Sequence, residues 1–140
     1  GDYFDYRGRN PFSHLIYPMP EANTAGLGIH ATMDMSSQLK FGPDTEYVDK
    51  IDFEIDGNKA RVFAKSISSY FPTIEAGDLK PAYSGIRPKL SGLGEAAADF
   101  EIQGQSAHGV PGLIQLFGME SPGLTASLAI ARHIADRVEL

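Results

Sequence analysis

The sequence predicts an α+β fold in which a mainly antiparallel sheet is flanked by separate helices. Three observations predict this class. Apolar residues alternate at period two in several short runs, they recur at spacings of three and four in two longer stretches, and glycine or proline separates one run from the next. With 140 residues, 42% hydrophobic and 21% charged, the chain has the composition of a globular domain with a core.

The first third of the chain predicts four short strands. Residues 3–6 form an aromatic run. Residues 15–17 form an apolar run bounded by Pro18 and Pro20, which cannot donate to a sheet. Residues 26–34 alternate between apolar and polar or small side chains, which predicts a strand with one buried face and places His30 on the more polar face. Residues 38–41 predict the returning strand.

Two stretches predict amphipathic helices. In the first, Asp56 is the N-cap and Pro72 ends the helix. Its predicted buried positions are Ala60, Phe63, Ala64, Ile67 and Phe71. In the second, Ser121 is the cap and Pro122 occupies the first turn. Its predicted buried stripe is Leu124, Leu128, Ala131, Ile134 or Ala135, and Val138.

The segments between the helices predict extended structure. Residues 81–91 are extended, residues 99–102 alternate as a strand, and residues 113–117 form a compact apolar run that predicts a buried strand. Residues 26–31 and 92–97 match a dinucleotide-binding glycine pattern loosely, but neither stands between a buried strand and a helix, so we predict turns or close packing.

Composition and missing motifs exclude several classes of protein. A net charge of -6 argues against nucleic acid as a partner, because neutralising phosphates requires clustered Lys and Arg. Without cysteine the chain has no disulfide, thiolate metal site or cysteine nucleophile. We predict no metal site, because the four histidines have no zinc-type spacing, and no apolar run approaches the ~20 residues of a membrane span.

Three features have a chemical interpretation beside a structural one. Arg87 stands between Ile and Pro in a predicted buried strand, where its guanidinium would need a carboxylate; an exposed Arg or a structural ion pair is the alternative. Residues 117–127 run from a predicted strand through glycines into a predicted helix. The free N–H groups at the start of that helix would attract an anion, and ordinary capping of the helix is the alternative. His30 is either a structural histidine or a base.

These features occur in an order that resembles a known family. The segments that carry the resemblance are 15–20, 26–30, 41–44, 83–90, 98–100, 110–113 and 118–127. Together they resemble the C-terminal part of the FAD-dependent oxidoreductases of the D-amino-acid oxidase superfamily, with the L-2-hydroxyglutarate dehydrogenase/oxidase group as the nearest branch. The resemblance covers nearly the whole chain. It identifies the chain as a piece of a two-domain flavoprotein, with Gly1 an interior residue of the parent.

The resemblance also implies a domain assignment. Residues 1–106 correspond to the substrate-binding part with its antiparallel sheet, and residues 107–140 to a strand and helix that return to the FAD-binding domain. The N-terminal Rossmann-type domain, with the FAD fingerprint, is absent from the sequence. We therefore expect the 140-residue piece alone to be inactive and not to retain FAD. We also expect it to self-associate through the apolar surface left exposed on its last strand and helix.

The family's functional residues are assigned to this chain through matching positions. Arg87 resembles the arginine that clamps the substrate carboxylate, and His30 matches a histidine that removes the hydroxyl proton. Tyr17, Tyr83 and Lys89 complete the predicted substrate-binding set, in which Lys89 or Tyr83 orients the substrate or its second carboxylate. The predicted flavin turn, which meets the pyrimidine edge of FAD, consists of Ser121, Pro122, Gly123, Leu124 and Thr125.

The resemblance implies the oxidation of a small 2-hydroxy acid by hydride transfer to flavin N5. L-2-hydroxyglutarate is the first candidate substrate. An amine or amino-acid oxidase of the same superfamily is one alternative, and a noncatalytic α+β binding module is another. The electron acceptor is oxygen, a quinone or a protein. We expect a cytoplasmic protein, with peripheral attachment of the parent enzyme to a membrane left open.

Overall fold

Four short strands form the sheet of the first of two structural units. The structure is a computed structural model that describes residues 1–19 and 28–138. The chain divides into a unit Gly1–Ile86 and a unit Arg87–Leu140. The strands of the first unit are β1 (Asp2–Tyr6), β2 (His30–Met33), β3 (Leu39–Gly42) and β4 (Leu79–Ser84).

The sheet has the order β2-β3-β1-β4, and all its neighbours are antiparallel, which confirms the predicted fold class. Phe41 of β3 lies opposite Phe4 of β1 on one side and opposite Ala31 of β2 on the other. The apolar run around Ile16 forms only a bridge to Ala31, with two backbone hydrogen bonds of 2.9 Å. The proline that follows Tyr17 has no N–H to donate and prevents that run from extending into a full strand.

The turn between β2 and β3 is closed by Asp34. Its Oδ1 accepts hydrogen bonds from the Oγ and N–H of Ser36 and from the N–H of Gln38, at 2.7 to 3.0 Å. The hydroxyl of Ser36 and then the N–H of Gln38 hold the pKa of the Asp34 carboxyl below its ordinary value. The short polar side chain therefore closes the turn locally.

The first predicted helix is confirmed at its start. The Asp56 carboxylate accepts the Asn58 N–H, which opens a 3₁₀ turn, Gly57–Lys59, that continues into α1 (Ala60–Ile67). The helix ends at Ile67, one turn before the predicted stop at Pro72, and Phe71 packs from the turn that follows. The four helical positions that the spacing assigned to the core are all buried.

The core of the first unit lies between α1 and the sheet. Phe63 of α1 meets Phe4 of β1 with 4.6 Å between ring centroids, and both side chains are at most 1% exposed. The buried apolar side chains are Phe4, Ile29, Ala31, Leu39, Phe41, Ala60, Phe63, Ala64, Ile67, Ile74 and Leu79. Burial of these side chains is the main stabilising contribution to this unit.

Lys59 joins three carboxylates at the start of α1. Its Nζ lies 2.6 Å from Asp2 Oδ2, 2.7 Å from Glu46 Oε2 and 3.1 Å from Asp44 Oδ2. Desolvation opposes the charge of the Lys59 ammonium, but the hydrogen bonds to these carboxylates outweigh it and raise its pKa. This pairing gives the carboxylate of Asp2, which is 7% exposed, a cationic partner in β1.

The second unit contains little buried surface. Its strands β5 (Glu101–Gln103) and β6 (Gln115–Phe117) pair antiparallel, and its helices are α2 (Gln105–His108) and α3 (Gly123–Ala135). Residues 113–117 were expected to be a buried strand: the strand is present over Gln115–Phe117, but its burial is wrong, because Leu116 and Phe117 are 43% and 38% exposed. A unit of this size has too few residues to cover both faces of a two-stranded sheet.

The predicted buried stripe of α3 is also wrong. Leu124 and Leu128 are 89% and 85% exposed, whereas Ala126, Ile130 and Ile134 are partly buried. The helix is apolar around more than one face, so the spacing of its apolar residues does not decide which face packs. Among the described residues, no helix has the length and hydropathy needed to cross a bilayer.

Candidate functional site

Arg87 stands outside the sheet, at the start of the second unit. Strand β4 ends at Ser84, and the Arg87 side chain is 50% exposed, so the expectation of a buried strand position is wrong. Gly85 still pairs with Gly1 through two hydrogen bonds of 2.9 and 2.6 Å, and the proline at position 88 has no N–H to donate to a further pair. An exposed guanidinium needs no protein partner and is accessible to a ligand.

Two cations and one carboxylate meet in the second unit. Lys89 Nζ donates to Glu120 Oε1 at 2.9 Å, and Arg87 Nη1 lies 3.5 Å from Glu120 Oε2. Glu120 belongs to the segment between β6 and α3, immediately before the predicted flavin turn. The structure therefore brings the predicted carboxylate clamp next to the helix terminus that was predicted to bind the cofactor.

The segment before α3 is closed by its own backbone. Gly118 has a φ of +66°, which favours glycine, and its carbonyl accepts the Glu120 N–H at 2.7 Å. The Gly123 N–H donates to the Glu120 carbonyl at 2.5 Å. A methyl group added at Gly118 would lie 2.9 Å from the Leu90 side chain, so this glycine also allows close packing.

The cap of α3 differs from the prediction. The Ser121 side chain makes no capping hydrogen bond, and Pro122, predicted in the first turn, holds the N-cap position. The Thr125 hydroxyl donates back to the Pro122 carbonyl at 2.8 Å. Because no side chain caps this terminus, the N–H groups of Leu124 and Thr125 lack the partners that a capped helix would supply.

The start of α3 offers hydrogen-bond donors of the kind that the edge of a flavin would need. A shallow depression at the start of α3 is lined by Met119, Glu120, Ser121, Pro122, Leu124 and Thr125. Uncapped N–H groups and the positive end of the helix dipole would attract an acceptor such as a ring carbonyl. Residues 92–95 form a tight turn in which Glu95 bonds back to Gly92, with no helix after it, so they are not a phosphate-binding loop.

The remaining predicted residues lie in the first unit. Tyr17 stacks on His30 with 4.0 Å between ring centroids, held there by the Ile16 bridge to β2. His30 lies on the more polar face of the strand, but it is only 7% exposed because the Tyr17 ring covers that face. The Tyr70 hydroxyl donates to the Ile29 carbonyl at 2.8 Å and supports the same strand.

Tyr83 belongs to an aromatic pair at the other edge of the sheet. It stacks on Tyr3 across the β1–β4 pairing, with 4.5 Å between centroids and 14° between ring planes. Its side chain is 50% exposed. The first unit thus contains Tyr17, His30 and Tyr83, whereas the second contains Arg87, Lys89 and the predicted flavin turn.

Glu120 is the site residue that sequence reasoning missed. Its position in the chain, one residue before the predicted cap, was visible, but its pairing with cations 31 and 33 residues earlier was not. The available signal was chemical. Two cations in a short proline-containing segment attract a carboxylate, and Glu120 is the acidic residue nearest in sequence to the predicted flavin turn.

Comparisons with known proteins agree with the motif order. Residues 1–137 match the family described as FAD dependent oxidoreductase. The chain is 48% identical over 149 residues to the mitochondrial L-2-hydroxyglutarate dehydrogenase of Arabidopsis thaliana, covering 98% of this chain and 30% of that protein. It is 25% identical over 159 residues to the mitochondrial L-2-hydroxyglutarate dehydrogenase of Nematostella vectensis, covering 87% and 34%.

The chain spans about a third of the length of the curated relatives that it matches. The family and the group that its motifs resemble are confirmed by these matches. The names of both relatives include a mitochondrial location, whereas the cytoplasmic location expected for this protein stays a prediction. The assignment of residues 1–106 and 107–140 to two parts of a flavoprotein also stays a prediction.

Proposed function

We propose that the full-length protein oxidises a small 2-hydroxy acid to the 2-oxo acid, with L-2-hydroxyglutarate as the first candidate substrate. The chain belongs to the FAD-dependent oxidoreductase family, which supports this proposal. The single observation that supports this proposal is that Arg87 lies beside the start of α3. Glu120 contacts both, through its carboxylate to Arg87 and through its carbonyl to Gly123. The name of the Arabidopsis relative supports the hydroxy acid over an amine or amino acid.

Arg87 binds the substrate carboxylate in this proposal. Its guanidinium is half exposed and contacts protein through Nη1, so further N–H donors are open to a ligand. A planar fork that binds a carboxylate bidentately fixes the direction of the adjoining Cα–H bond. This orientation is what a reaction at Cα requires, because the hydrogen must leave along one line.

Residues at the start of α3 hold the cofactor. Ser121, Pro122, Gly123, Leu124 and Thr125 form the surface for the pyrimidine edge, with backbone N–H groups as its donors. When bound, FAD would supply the hydride acceptor of the reaction. The dipole of α3 stabilises negative charge at this edge, which favours reduction of the bound group.

His30 takes the hydroxyl proton, and Tyr17 holds the His30 ring in place. The stacked rings and the bridged strand leave His30 little freedom to rotate, and a base must be fixed to reach its proton. Tyr83 and Lys89 orient the rest of the substrate, including its second carboxylate. The Lys89 ammonium is a cation that can pair with a carboxylate.

Substrate profiling of the full-length protein tests this function. We expect purified protein to contain flavin and to oxidise L-2-hydroxyglutarate with a kcat/KM at least about tenfold above that for L-glutamate, which differs only in bearing an amine. The D enantiomer is the matched control, because a fixed carboxylate presents its Cα–H on the wrong side. Assays with oxygen alone, with a quinone and with a protein acceptor identify the electron acceptor.

Other results of the substrate profile would replace the proposed function with one of its alternatives. Preference for L-glutamate or an amine would replace this proposal with an amino-acid or amine oxidase. Protein without flavin and without oxidase activity would favour a noncatalytic binding module.

We also propose that the 140-residue chain alone self-associates through the exposed apolar side of α3. Leu124 and Leu128 lie one turn apart and are almost fully exposed, and a second copy of the chain can cover them. We expect light scattering to give a mass above the monomer's 15.1 kDa, and the double variant Leu124→Glu/Leu128→Glu to return it to monomer. Val62→Glu on α1, also exposed, is the control, and a monomeric wild-type chain contradicts the proposal.

We expect this chain to lack bound FAD.

A further inference from the structure

We infer that Glu120 is a positioning residue that orients the cationic side chains of Arg87 and Lys89 toward the substrate carboxylates, an inference that rests on the proposed function. Glu120 takes no part in the reaction as proposed above. It makes two sets of contacts at once, one through its carboxylate and one through its backbone. Together they connect the predicted substrate clamp to the predicted flavin turn.

The Glu120 carboxylate divides its oxygens between the two cations. Oε1 accepts the 2.9 Å hydrogen bond from Lys89, and Oε2 lies 3.5 Å from Arg87 Nη1. Contact at one guanidinium nitrogen leaves the other donors of the planar group available, and a bidentate carboxylate uses two of them. Glu120 can therefore direct the guanidinium without occupying the side that a substrate needs.

The backbone of Glu120 is fixed on both sides. Its N–H donates to Gly118, and its carbonyl accepts from Gly123 at the start of α3. Its side chain is 18% exposed, against 50% for Arg87. Exposed ion pairs contribute little when two long side chains must both be ordered. Here the backbone of Glu120 is already fixed by its hydrogen bonds, so the Glu120 carboxylate determines where the two cations lie.

Loss of the Glu120 charge would disturb both cations. Without the carboxylate, the ammonium of Lys89 and the guanidinium of Arg87 repel each other and no longer share an anchored partner. Binding the substrate carboxylates must then also order these two side chains, and ordering each flexible side chain lowers the affinity. Substrate binding is then the step that suffers, because Glu120 touches the cations and no reacting atom.

The test compares Glu120→Gln with Arg87→Met and a matched control in the full-length flavoprotein. Asp5→Asn is the control, because Asp5 also pairs with a lysine, Lys40, at 2.6 Å, but in the other unit. kcat and KM are measured for L-2-hydroxyglutarate and for L-2-hydroxypentanoate, which lacks the second carboxylate. Calorimetry gives the Kd of 2-oxoglutarate, a readout that does not depend on turnover.

We expect Glu120→Gln to raise KM and Kd about tenfold while kcat changes less than about twofold. The rise should be larger for the dicarboxylate, because two cations are displaced, and Glu120→Asp should restore part of the affinity. Asp5→Asn should leave both constants unchanged. If Glu120→Gln does not fold, Glu120→Asp is measured instead, and it should raise KM and Kd by a smaller factor.

The two proposals fail in different ways. Unchanged KM and Kd in the Glu120 variant, in an enzyme that Arg87→Met impairs, overturn the role of Glu120 and leave the proposed function standing. Loss of flavin with an unchanged KM assigns Glu120 a purely structural role and overturns this inference. Full activity of Arg87→Met overturns the substrate clamp and, with it, the positioning role.

Discussion

Replacing Arg87 with methionine is expected to lower kcat/KM for L-2-hydroxyglutarate about 100-fold, mainly through KM. The substitution keeps the apolar length of the side chain and removes the charge that would pair with the substrate carboxylate. Loss of one partner of a hydrogen-bonded charge pair costs about 3 kcal/mol, which corresponds to that factor. Steady-state kinetics of the full-length flavoprotein measure the effect.

Arg61 provides the matched control for this prediction. It is exposed on α1 in the first unit, and no role in the site is proposed for it. Arg61→Met should leave kcat/KM within about twofold of the parent value. Arg87→Lys should recover only part of the loss, because an ammonium cannot bind a carboxylate through a planar fork. An Arg87→Met enzyme with the parent kcat/KM would show that the carboxylate is bound elsewhere.

Replacing Phe63 with alanine is expected to lower the free energy of unfolding by about 3–5 kcal/mol, the largest effect on stability among these predictions. Phe63 is 1% exposed and packs against Phe4 between α1 and the sheet. Removal of the ring leaves a cavity at the centre of the first unit, where rigid neighbours cannot close it. Urea unfolding followed by far-ultraviolet circular dichroism measures the change.

A substitution at Val62 distinguishes the contribution of core packing to stability from that of helix propensity. It is the neighbour of Phe63 on α1 and is 66% exposed. Val62→Ala should change the free energy of unfolding by no more than about 0.5 kcal/mol. Equal losses in the two variants would mean that the helix, rather than the packing of Phe63 against Phe4, limits stability.

The elements that the sequence predicted correctly are those whose pattern is local. The aromatic run of β1 and the returning strand β3 are present, and α1 buries the residues that its spacing indicated. Asp56 caps its turn as predicted. In each case the structure depends on the order of neighbouring residues, and both the period of apolar side chains and the chemistry of a cap are visible in that order.

The burial that the sequence did not predict correctly depended on contacts between distant segments. His30 lies on the polar side of an alternating strand, yet it is buried because Tyr17, thirteen residues earlier, stacks over it. Leu124 and Leu128 were assigned to the core because their spacing is helical, yet α3 packs through another face. Periodicity identifies a helix or strand, but it does not identify which neighbour covers each face.

The candidate site divides in the same way. The order of its motifs was enough to predict the family, because that order is a property of residues along the chain. The roles of Arg87 and of the turn before α3 stay predictions. Only folding revealed that Glu120 brings Arg87 and Lys89 together at that turn, more than thirty residues away. Ion pairs depend on distance in space, and a linear sequence does not contain that distance.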